Sequence, residues 1–201
     1  REEIDSGESF ERNALGFHVP KRFDKIIDID HCYLQGNISN DVRNELGAFA
    51  LKEGLGYYDI INQTGLLRNL IIRTTLDGQS MVIVQFGADD QEGIDKTMEF
   101  LHQRFPEITA LMYIINLKKN ETFQDLEVHT YAGKDYIEET MEGLKFKIGP
   151  KSFYQTNSSQ AYELYKVARE FADLSGNEVV YDLYTGTGTI ANFVAKDAKQ
   201  V

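Results

Sequence analysis

The sequence predicts an α+β domain followed by the start of an α/β sheet of the doubly wound, nucleotide-binding kind. Three observations predict it. Strand-like and helix-period runs are interspersed through residues 41–148, which suits helices packed on one side of a mainly antiparallel sheet. From residue 149 the order changes to helix, apolar strand, glycine loop, helix, the unit that opens a nucleotide-binding sheet. The loop Gly186-Thr187-Gly188 comes a few residues after Asp182, an acidic residue late in that apolar run.

The elements follow in order. Residues 1–40 are polar and irregular. The charged start, Arg1 to Asn13, suggests a hairpin remnant or a frayed end. Gly16 to Pro20 and Lys25 to Ile29 read as short strands around a turn. Val42, Leu46, Phe49 and Ala50 recur at helical spacing, and Gly54 and Gly56 stop that helix. Strand-like runs follow at Tyr57 to Ile61, Leu67 to Thr74 and Ser80 to Phe86, with Asp77-Gly78 as a hairpin turn. A helix is expected over Gln91 to Phe105, buried through Ile94, Met98 and Leu101 and ended by Pro106. Ile108 to Leu117, Leu126 to Tyr131 and Leu144 to Ile148 complete the strands of the 41–148 unit. In residues 149–201, Asn157 and Gln160 have capping-box spacing. Ala161, Leu164, Tyr165, Ala168, Phe171 and Ala172 form one apolar helical face, and Gly176 closes the helix. Val179 to Leu183 reads as a buried parallel strand, which without its partner parallel strands is expected to be exposed, disordered or paired with another molecule. Ile190 to Ala198 starts the last helix.

Composition excludes some functions. The 201 residues begin at Arg1 and carry a formal net charge of −11, so the chain reads as a fragment without a broad nucleic-acid-binding face. Lys145, Lys147 and Lys151, with Lys118 and Lys119, form a modest basic cluster that reads as solvated surface. Arg68 and Arg73, on one strand, suit RNA phosphates and ordinary strand surface equally. One cysteine, Cys32, excludes an internal disulfide and fits a reducing compartment. No apolar run approaches a membrane span and no secretory signal opens the chain, so a cytoplasmic location is expected. His18, His31, His102 and His129 show no metal-ligand spacing.

The glycine loop can turn sharply and approach a ligand, with the following helix aiming its amides at it. It also matches the dinucleotide pattern G-x-G-x-x-A through Ala191. A tight βα turn without a ligand explains the loop alone equally well. Asp182 then caps nearby amides, Gln155 satisfies loop backbone and Tyr184 is a core aromatic.

The longer string is more specific. Phe153-Tyr154-Gln155-Thr156-Asn157, then Gln160-Ala161 and Leu164-Tyr165, then Asp182-Leu183-Tyr184-Thr185-Gly186-Thr187-Gly188-Thr189 resemble the RNA 5-methyluridine methyltransferases. Gly16-Phe17-His18, Asp28 to Cys32 and Leu67 to Arg73 resemble the central domain of that family. The likeness is closest to the branch acting on large-subunit (23S) ribosomal RNA. It implies an α+β central domain followed by the start of a Rossmann-like S-adenosylmethionine methyltransferase domain. The division would be residues 1–40, a strand segment of the central domain; 41–148, its α+β body; and 149–201, a truncated cofactor domain.

The resemblance also implies roles. Gln155, Asp182, Tyr184 and Gly186 would contact S-adenosylmethionine, and Thr189 stands where some relatives have an asparagine. Thr185 departs from a cysteine that is not the nucleophile. In the family a cysteine thiolate adds to C6 of uracil, C5 takes the methyl group and a carboxylate removes the C5 proton. Those two residues would fall beyond Val201, so the fragment alone is expected to be inactive. Cys32 matches the fourth ligand of a [4Fe–4S] cluster found in the ribosomal branch, with the other three absent. No membrane and no obligate protein partner is expected. The competing expectation is a non-catalytic RNA- or protein-interaction module with a structural glycine loop.

Overall fold

The computed structural model describes residues 13–201. The charged start, apart from Asn13, lies outside the described residues. Contacts divide the chain into two units. The first runs up to Leu70 and takes in Gln85–Phe105 and Ile115–Glu121. The second comprises Ile71–Val84, Pro106–Ile114 and Thr122–Val201.

In the first unit, β1 (Phe17–His18) and β2 (Ile26–Ile27) pair antiparallel, as the turn between them suggests. Helix α1 (Asn37–Glu53) buries Val42, Leu46 and Ala50 and ends at Gly54, whose φ of 67° favours a residue without Cβ. Helix α2 (Gln91–Arg104) starts where the Asp90 carboxylate accepts the Gly93 amide. Phe49 and Phe100 stack 4.0 Å apart. Arg43 is buried, and its Nη2 donates to the carbonyls of Ile29 and Asp30 and to Asn40 Oδ1. Asn40 Oδ1 also accepts from the Cys32 amide, so the Cys32 loop is tied to α1.

Tyr57 to Ile61 is not a strand. Only isolated bridges form there, Tyr57 with Leu67 and Asp59 with Thr64. The Asp59 carboxylate accepts the amides of Ile61 and Asn62, and this local turn outcompetes a ladder.

Four strands form one sheet in the order β3-β4-β5-β6: β3 Leu67–Thr74, β4 Ser80–Phe86, β5 Ala110–Ile115 and β6 His129–Gly133. The Asp77-Gly78 turn closes β3 onto β4, with Thr75 N–H donating to Gln79 O. Thr109 N–H donates to Ser80 O and Asn116 N–H to Phe86 O. These bonds advance together along both chains, so β4 and β5 run parallel, as a strand–helix–strand crossover requires. β5 and β6 pair antiparallel with a bulge at Leu111/Met112. Strand β6 begins at His129, three residues later than the alternation starting at Leu126 suggests.

The second unit adds the hairpin β7 (Ile137–Met141) and β8 (Leu144–Ile148), turned at Glu142 and Gly143, both at positive φ. β7 is absent from the sequence reading because one of its inward positions, between Ile137 and Met141, is a carboxylate, Glu139, only 1% exposed. Helix α3 (Ser158–Ala172) and helix α4 (Thr189–Val194), with a short 3₁₀ turn at Ala195–Asp197, complete the unit. Its core gathers Met81, Ile83, Met112, Ile114, Phe146, Tyr165 and Phe193.

Three expectations need correction here. The packed face of α3 is Ala161 and Tyr165 with Tyr162 and Arg169 beside them, because its neighbours are Phe193 and Glu142. Leu164 and Phe171 are exposed. Asp173, in the left-handed region, caps α3 ahead of Gly176. Val179 to Leu183 is not a strand, and it is left uncovered, as expected of a run without partner strands. One parallel bridge joins Val179 to Gln200, and Val179, Tyr181 and Leu183 are exposed, since no adjacent ladder covers them among the described residues.

Candidate functional site

The segment that follows β8 is fixed from three sides. The Arg73 guanidinium, on β3, donates to the carbonyls of Ser152 at 2.7 Å and Gly149 at 3.4 Å. Ser152 Oγ accepts the Gly149 amide, which closes the turn. Tyr154 points inward against Phe146, their ring centroids 6.1 Å apart. At the far end Asn157 Oδ1 accepts the Gln160 amide, so α3 starts as the capping spacing suggests. Ser158 Oγ donates to Glu139 Oε2 at 2.6 Å. Glu139 also accepts the Leu76 amide. Phe153 and Gln155 flank the buried Tyr154 and are both exposed. Their side chains therefore project away from the core.

Tyr154 carries a phenol hydroxyl without a hydrogen-bond partner among the described residues. Burial, with the Glu139 charge second, pushes it up to about 12. It is a neutral wedge under the segment.

The glycine loop lies in the same unit. Asp182 Oδ2 accepts the Ala191 amide at 3.1 Å, which ties the end of the apolar run to the first turn of α4. Gly188 N–H donates to Thr185 O, and the Thr187 and Thr189 hydroxyls are 2.8 Å apart. Tyr184 has a φ of 64°, and its side chain is fully exposed. It is therefore not a core aromatic. Gly186 has a φ of 57°, and a Cβ there would meet only Tyr184 O, 4.0 Å away, so its outer face is open to a ligand.

A group of the S-adenosylmethionine kind fits these residues. Gln155 and Tyr184 expose a carboxamide and a ring, Gly186 leaves room at the backbone, and Asp182 uses one carboxylate oxygen structurally while Oδ1 has no hydrogen-bond partner among the described residues. The described residues do not by themselves hold an iron–sulfur cluster. Cys32 is a half-buried free thiol, and no group of three or more metal-ligating side chains occurs among the described residues.

The other candidates are structural. Arg68 does not face outward: its side chain is 1% exposed and its guanidinium donates to the carbonyls of Asn116, Lys118 and Asn120. Arg73 holds the Gly149–Ser152 turn. His129 stacks on Tyr113 and His31 meets Tyr33 edge-on. Lys147 lies 3.7 Å from the centre of the Tyr136 ring, and Lys151 donates to Leu126 O. Among the described residues no helix is long and apolar enough to cross a membrane.

A glycine loop between an acidic residue and a helix, in a mixed α/β fold, is an arrangement that can cradle a nucleotide-like ligand. Comparisons with known proteins narrow it. No protein-family profile matches the chain. It is 55% identical over 94% of its length to an uncharacterized RNA methyltransferase of Bacteroides thetaiotaomicron. It is 53% identical over its full length to another from Porphyromonas gingivalis. It spans 42% and 44% of the length of those two relatives. Among solved structures it resembles the Pyrococcus abyssi tRNA (uracil-54, C5)-methyltransferase in complex with S-adenosyl-L-homocysteine, at 26% identity and a TM-score of 0.68. That match covers 88% of this chain and 42% of the other.

Proposed function

We propose that this chain is part of an S-adenosylmethionine-dependent RNA methyltransferase that forms 5-methyluridine in ribosomal RNA. The observation that carries the reading is that Gln155, exposed on a segment held at both ends, and the open-faced loop at Tyr184 and Gly186 lie in the same unit. Similarity to RNA methyltransferases over nearly the whole chain supports it. So does likeness to a uracil-C5 enzyme in complex with the product form of the cofactor.

Gln155 donates and accepts hydrogen bonds at the cofactor. Asp182 offers Oδ1 to the ammonium group. The Tyr184 ring covers an apolar part, and Gly186 lets the backbone close on the methionine portion. The bound cofactor supplies the methyl group. The domain division at residues 40 and 148 and a cytoplasmic location belong to the same proposal.

A second reading, a non-catalytic RNA- or protein-interaction module, has one observation in its favour. The loop satisfies itself through Asp182 to Ala191 and Thr185 to Gly188. Full-length protein, S-adenosylmethionine labelled in its methyl group, and ribosomal or transfer RNA transcripts separate the readings. Labelled 5-methyluridine in digested ribosomal RNA is the expected result. Label only in transfer RNA would replace the substrate. A folded protein that binds no S-adenosylmethionine and labels neither RNA would establish the binding-module reading instead.

A further inference from the structure

Arg73 carries a charge that no carboxylate neutralises within salt-bridge distance among the described residues. Its hydrogen bonds go to main-chain carbonyls of one turn, Ser152 and Gly149. A half-buried guanidinium without a counter-ion is costly. Burial lowers its proton affinity. Such a group persists where what it holds repays that cost. What it holds is the start of the segment that presents Gln155. Glu139 is the counterpart at the other end. It is 1% exposed and spends its carboxylate on Ser158 Oγ and the Leu76 amide. Between these two points lie five residues, Phe153 to Asn157, with Tyr154 buried in the middle.

We infer that Arg73 and Glu139 are positioning residues for Gln155, clamping the segment at both ends so that its carboxamide meets the cofactor in one fixed place. The inference rests on the cofactor-binding role proposed above for Gln155. Neither residue touches the ligand. Arg73 restrains the two carbonyls that set the direction of the chain entering Phe153, and Glu139 fixes the first turn of α3 where the chain leaves. A fork-shaped guanidinium spans two carbonyls at once, which an ammonium does not reproduce.

Calorimetry of S-adenosylmethionine on the full-length protein tests the clamp through a double-mutant cycle. Arg73→Met should weaken binding about tenfold to a hundredfold, as expected for a misplaced ligand contact, and Arg73→Lys by less. Glu139→Gln should weaken it in the same direction. In the Gln155→Ala background the same Arg73 substitutions should weaken binding no further. Asp90→Ala, which removes the cap of α2 in the first unit, serves as the stability control: it should lower the unfolding midpoint without changing cofactor affinity.

Full additivity of Arg73→Lys and Gln155→Ala would overturn the clamp, as would normal affinity in Arg73→Met. Arg73→Met raising KM for RNA but not for S-adenosylmethionine would overturn it too. If Arg73→Met does not fold, Arg73→Lys and its cycle decide alone. Absence of binding by the wild type would defeat the proposed function itself. That failure appears before any variant is made, so the two are distinguishable.

Discussion

Arg68→Ala should unfold the first unit more easily and leave any RNA contact unchanged. The side chain is 1% exposed. Its guanidinium donates to Asn116 O and Lys118 O at 2.7 Å, to Asn120 O at 2.8 Å and to Glu121 Oε1 at 3.1 Å, and sits 4.4 Å from the centre of the Tyr58 ring. Hydrogen bonds from a charged donor contribute about 1.5–3 kcal/mol each, but four on one group do not add. Glu121 is partly solvated, so its share is screened. The carbonyls left behind lose their donors, and water can reach only some of them. The expected loss is about 3–4 kcal/mol, or roughly 10 °C in midpoint for a chain of this size. Urea unfolding followed by circular dichroism, with an unchanged slope, measures it. Arg68→Lys keeps the charge without the fork and should recover less than half. A variant with wild-type stability but weaker RNA binding would refute the argument and return Arg68 to the phosphate-facing role that its strand position left open beside ordinary surface.

Glu142 is held at about 2, below the usual 4.5, by hydrogen bonds from Arg169 first and Lys196 second, with Tyr162 adding a third. Because the folded value is depressed, its contribution is complete above about pH 4.5 and is lost as pH falls towards 2. Unfolding midpoints across that window should fall more steeply for the wild type than for Glu142→Gln. Asp90→Ala should cost about 1 kcal/mol in urea unfolding through loss of the α2 cap. Tyr154→Phe removes a buried hydroxyl that has no partner, so it should be neutral or stabilising by up to about 1 kcal/mol. The raised phenol, at about 12, reflects a penalty on the buried phenolate, so the folded state keeps its full advantage over the ionised form below pH 10. That advantage disappears between pH 10 and 12, and ultraviolet difference titration of the wild type against Tyr154→Phe measures it.

Elements whose signal is local were legible in the sequence. Strands β3, β4 and β8 and helix α1 carry their own periodicity, and Asp77-Gly78 carries its own turn. Misreadings arose where a residue's partner lies far along the chain. Glu139 looks polar and outward until Ser158 and the Leu76 amide are in place. Arg68 looks like surface until the chain returns at Asn116, 48 residues later. At the site, Gln155 and the glycine loop were visible as a string, whereas the clamp through Arg73 was not. Its contact spans 79 positions and leaves no pattern in either segment.

Asp182 shows why a structural use does not exclude a functional one. Its Oδ2 accepts the Ala191 amide, so removing the whole carboxylate would loosen the loop and lower affinity even if the ligand never touched it. Asp182→Ala therefore cannot distinguish the two roles. Asp182→Asn can, because its carboxamide oxygen still accepts the Ala191 amide while its nitrogen presents a donor where Oδ1 stood. Under the cofactor reading an ammonium facing that donor is repelled. Affinity for S-adenosylmethionine then falls sharply at unchanged stability. If the carboxylate only caps the loop, Asp182→Asn keeps both. The segment that delivers Asp182 has a single parallel bridge, at Val179. Its position therefore depends on that tie to α4 more than on a ladder, which gives the Asp182–Ala191 bond a larger share in shaping the loop than an isolated cap ordinarily has.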